Sequence, residues 1–98
     1  MTIDAEHITT RLDALRADLD RFPAGVSCPW PLARVYNELL RQAKEIVGTD
    51  PIVKILRPVE QGGGEFEPDA STALVGTVGG LIGQMRIALD EAPVEGAN

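Results

Sequence analysis

Aromatic side chains are scarce in this chain. Phe22, Trp30, Tyr36 and Phe66 are the only rings among 98 residues, so aliphatic side chains must fill the core. A single cysteine excludes an internal disulfide framework, and a single histidine excludes a His-rich metal site. Basic residues are outnumbered, 9 against 15 acidic, for a net charge of −6. General nucleic-acid binding needs a basic footprint, and so does attraction to an anionic membrane surface, so neither partner is expected. Long apolar runs are absent as well. The longest uncharged stretch, Ala70 to Met85, is interrupted by Ser71, Thr72, Thr77 and Gln84, and is shorter than the ~20 apolar residues of a spanning helix. The first residues carry Asp4 and Glu6 and lack a basic segment followed by an apolar one, so no signal peptide is expected. A soluble cytoplasmic protein is the expectation.

What is present points to one small helical domain. Hydrophobic residues make up 44% of the chain, which argues against whole-chain disorder. A chain of this length buries roughly two-thirds of its unfolded surface. The domain is expected over residues 1–90, with residues 91–98, which include Pro93 and Gly96, as a frayed tail.

Periodicity divides the chain into three long helices and one short one. Ala5, Ile8, Leu12, Leu15, Leu19 and Phe22 recur at spacings of three and four, with Thr2 or Asp4 able to cap the start. Asp13 with Arg16, and Asp18 with Arg21, lie three apart on the wet face and can pair weakly. Pro23-Ala24-Gly25 ends this helix, and Ser27-Cys28-Pro29-Trp30 cannot be helical ahead of Pro31. Pro31 suits the first turn of a second helix that runs to about Val47, with Gly48 as its C-terminal cap. Leu32, Val35, Tyr36, Leu39, Leu40, Ala43, Ile46 and Val47 give it a broad apolar stripe, about 140° wide. Thr49-Asp50-Pro51 opens a short helix that Pro58 must end. Its dense β-branched residues, Ile52, Val53 and Ile55, also allow a strand, with helix the preferred reading. Gln61-Gly62-Gly63-Gly64-Glu65 reads as a flexible loop, since it lacks the spacing of a phosphate-cradling loop. The last helix is expected from Pro68 or Asp69 to Leu89 or Asp90. Leu74, Val78, Leu81, Met85 and Ala88 set its apolar spacing, which Val75, Ile82 and Leu89 widen. The fold class is therefore an all-α up-down bundle with a Gly-rich loop before the last helix.

Gly76, Gly79, Gly80 and Gly83 are the most informative residues. Inside a helix each costs about 0.8–1 kcal/mol relative to alanine, or about 3–4 kcal/mol together. They fall within an arc of about 100°, opposite the bulky apolar residues. Bare backbone on one face admits a second helix at close range. That helix could belong to the same chain or to a second copy; a third reading is that the helix is irregular there.

No set of residues makes a convincing catalytic or cofactor site. His7 sits near a helix start, where an exposed surface role is the simpler reading. A nucleophilic Cys28 needs a base and a lowered pKa, and the only histidine lies in another segment, so a small thiol packed under its loop is the simpler reading. Paired carboxylates occur as Asp18/Asp20, Glu65/Glu67 and Asp90/Glu91, none with the apolar shelter that separates two pKa values. Trp30 could anchor a partner, or plug the end of the core. The expectation is thus a non-enzymatic module for protein interaction or assembly. It needs no cofactor or metal, and self-associates through helical faces. Its expected contact residues are Gly76, Gly79, Gly80, Gly83 and Trp30. A larger protein with a basic surface is the second expected partner. The alternative is a small acidic inhibitor that occupies a basic groove of its target.

Overall fold

The computed structural model describes residues 5–62 and 70–91. In order along the chain are helix α1 (Ala5–Leu19), strand β1 (Ser27–Pro29), helix α2 (Trp30–Val47), helix α3 (Pro51–Ile55), strand β2 (Ala70–Leu74) and helix α4 (Val75–Asp90). The molecule is mostly helical, as the periodicity indicates, but it is not all-α. The expected caps Thr2 and Asp4, the loop glycines Gly63 and Gly64, the proposed helix start at Pro68 or Asp69, and the tail 92–98 lie outside the described residues.

Helix α1 buries Ile8, Leu12, Leu15 and Leu19, one stripe at spacings of four, three and four. It stops at Leu19, before Phe22. The Phe22 amide closes a turn on the Leu19 carbonyl (3.0 Å), and Pro23 disfavours helical geometry in the residue before it. Phe22 therefore leaves the expected core stripe and is 40% exposed.

Helix α2 begins at Trp30, one residue ahead of the expected start at Pro31, so Trp30 is helical after all; Pro31 lies in the first turn, where the missing N–H removes no intrahelical bond. Tyr36, Leu39, Leu40 and Ala43 are its buried centre. The Asn37 side chain clamps the chain that returns along it. Its amide donates to the Val59 carbonyl and its oxygen accepts from the Val59 N–H, both at 2.7 Å. Beside it the Tyr36 hydroxyl reaches the Arg57 carbonyl at 3.5 Å. Gly48 follows the helix in right-handed geometry, and a Cβ added there would run into the Lys44 carbonyl oxygen.

Residues 51–55 form a helix, not a strand. The Asp50 carboxylate accepts from the N–H groups of Ile52 (2.8 Å) and Val53 (3.3 Å), and Pro51 holds the first position. Val53 is fully buried and fixes the helix to the core.

The largest correction concerns residues 70–74. They form a strand and α4 starts only at Val75, because backbone pairing with residues 27–29 holds this segment extended. β2 runs antiparallel to β1, with Ser27 opposite Leu74 and Pro29 opposite Ala70, and the register shifts between them. Pro29 lacks the N–H a regular ladder requires, and an irregularity accommodates it. On its other side β2 meets the returning chain: Thr72 N–H donates to the Glu60 carbonyl (2.9 Å), and Gln61 bridges Ser71. Ser71 also turns its hydroxyl to the Ala73 backbone, a local bond that competes with helix formation. Leu74, expected in the core stripe, is 46% exposed.

Helix α4 lacks a side-chain cap at its start. Carbonyls of the α1–β1 connection replace it: Val75 N–H donates to Val26 (2.8 Å) and Gly76 N–H to Ala24 (2.9 Å). Val75, Val78, Ile82, Met85, Ala88 and Leu89 are buried against α1, α2 and α3, so these helices share one aliphatic core. The expected ion pairs within α1 are replaced by one between helices. Asp13 pairs with Arg86 of α4, which also reaches Asp90 at 3.5 Å. Among the described residues Asp18 and Arg21 form no ion pair.

Candidate functional site

The buried side of α4 leaves a definite opposite face. At about 100° per residue, Gly76, Gly80, Gly83 and Ile87 lie within about 60° of one another. Gly79 flanks this line. The helix runs without interruption from Val75 to Asp90, so the glycines do not break it.

Among the described residues no helix covers Gly79 or Gly80. A Cβ added at Gly79 or Gly80 would meet nothing within 4 Å among the described residues. At the two ends of the stripe the neighbours are closer. A Cβ at Gly76 would lie 3.1 Å from the Ala24 Cβ and 3.2 Å from its carbonyl oxygen. At Gly83 it would lie 3.5 Å from an Arg16 guanidinium nitrogen. The close approach at Gly76 serves the α4 start, because the same Ala24 carbonyl accepts the Gly76 N–H.

Between these ends the surface forms an open groove of about 370 Å³. Gly76, Gly79 and Gly80 make its floor. Leu19, Phe22, Arg16 and Asp20, from the end of α1 and the turn beyond it, make one wall. Leu19 is buried and Phe22 is 40% exposed, so the wall combines apolar and charged side chains. Arg16 and Asp20 form no ion pair among the described residues.

The four glycines stand at positions i, i+3, i+4 and i+7. Those positions bound one hole of a knobs-into-holes packing. Ile87, four residues beyond Gly83, is a large apolar side chain on the same face and is 51% exposed. Composition and motif searching pass over it. Its signal in the sequence is an isoleucine on the glycine side of a helix whose other large apolar residues face away.

The expected contact residues do not form one site. The glycines line the groove or its end, whereas Trp30, at the start of α2, is half-buried against the core and lies outside the groove. The candidate chemical residues are also apart in character. His7 is exposed on α1, and Cys28 is fully enclosed in β1. Burial pushes the Cys28 thiol pKa up, opposed by a hydrogen bond with Ser71. That disfavours the thiolate a nucleophile needs. Among the described residues no group of three or more His, Cys, Asp or Glu side chains could hold a metal ion. Among the described residues no helix is long and apolar enough to cross a membrane. Compared with protein-family models, curated proteins and solved structures, the chain matches none of them.

Proposed function

We propose that this protein is a non-enzymatic helical assembly module, an up-down bundle that self-associates through the exposed face of α4. The observation that carries the proposal is the space over Gly79 and Gly80, which no described residue fills. Glycine in a helix costs about 0.8–1 kcal/mol per residue, and no contact with the described residues offsets that cost at Gly79 or Gly80.

The same face supplies what could fill the groove. The Ile87 side chain of a second, antiparallel copy fits the diamond of Gly76, Gly79, Gly80 and Gly83. Ile87 lies about 11 Å along the helix from the centre of that diamond. A twofold axis beside Gly83 therefore seats both isoleucines at once, as an isologous contact requires. End charges favour the same direction. α4 has no acidic residue in its first turn and no basic residue in its last, while Asp90 and Glu91 stand at its C-terminal end. Antiparallel pairing brings these carboxylates to the positive N-terminal end of the partner helix.

The magnitudes describe a weak complex. Covering the exposed half of one isoleucine contributes about 1 kcal/mol, twice over by symmetry. Close backbone contact adds dispersion energy across the glycines. Against these stand the loss of free motion, at least about 4 kcal/mol, and repulsion between two chains of charge −6. Association should be concentration-dependent and should strengthen with salt.

Cross-linking tests the arrangement. In a Cys28→Ser background, cysteine placed at Gly83 should oxidise to a disulfide-linked dimer, because the two copies of that position meet at the axis. Cysteine placed at Ile87 should not, since its two copies are about 11 Å apart along the axis. Cross-linking at both positions would refute the antiparallel register, and cross-linking at neither would remove the α4 contact.

The acidic-inhibitor reading has less support. Arg41 holds Glu38 and Glu45, and Arg86 holds Asp13 and Asp90. Four carboxylates that a target-mimicking surface would present are thus paired within the chain.

A further inference from the structure

We draw no further inference here: the strongest candidate, the groove between the end of α1 and the glycine face of α4, belongs to the site already described, and the exposed Ile52 and Ile55 on α3 form an apolar face with nothing in the structure to show what covers it.

Discussion

Replacing Gly79 and Gly80 together with alanine should make the isolated chain more stable. Both lie inside a continuous helix, and a Cβ at either meets nothing within 4 Å among the described residues. The substitution therefore recovers helix propensity without a steric charge against it, about 0.8–1 kcal/mol at each position and about 2 kcal/mol for the pair. For a domain of this size that raises Tm by roughly 8–16 °C. The assay is urea and thermal unfolding at a concentration low enough to keep the chain monomeric, so that association does not enter the stability. Gly76→Ala is the internal control. Its Cβ would press on Ala24 at 3.1 Å, so its propensity gain should be offset and its Tm should rise less. A loss of stability in the Gly79/Gly80 double variant would refute the reasoning, because it would mean that the chain itself packs against those positions. The association prediction runs the other way: Gly80→Leu fills the groove and should leave the protein monomeric while remaining folded.

Four further outcomes follow from the packing. Ile87→Ser should weaken self-association and, since half of the side chain is buried within the monomer, lower monomer stability by about 1 kcal/mol; sedimentation and urea melts separate the two. Gly48→Ala should destabilise by more than about 1 kcal/mol in the same melts, because its Cβ collides with the Lys44 carbonyl oxygen. Asn37→Ala removes both bonds to Val59 and should cost about 2 kcal/mol, with faster hydrogen exchange at the Val59 amide. Burial pushes the Tyr36 hydroxyl pKa up from 10.0 to about 12. The folded state therefore favours the protonated phenol, so this contribution is intact below pH 10 and is lost as pH rises through about 12. A spectrophotometric tyrosine titration should show the late ionisation, and Tyr36→Phe should flatten that part of the stability curve.

Local chemistry made much of the helical framework legible. Pro31 and the Asp50-Pro51 pair mark helix starts through constraints that act within one turn. Ile8, Leu12, Leu15 and Leu19 show their common face by spacing alone. The strand pairing was hidden because its partners, residues 27–29 and 70–74, are far apart in sequence. Leu74, Val75 and Val78 also fit a helical spacing, so the pattern continues through a backbone that is in fact extended at Leu74. Asp13 illustrates the same limit for charges. Arg16 is its near neighbour on α1, but the fold brings Arg86 to it from α4. The glycine face was legible as an arc on a helix wheel. Its emptiness was not, since that depends on where α1 ends and how Phe22 and Ala24 turn back beside α4.

Sedimentation equilibrium of the wild-type chain and Gly80→Leu, over roughly a hundredfold range of concentration, tests the central claim most directly. The mass of the wild type should rise from monomer toward dimer, while Gly80→Leu stays at 10.5 kDa with its helical signal intact. A wild-type mass that stays at the monomer value throughout, or a Gly80→Leu chain that associates as the wild type does, would contradict self-association through α4.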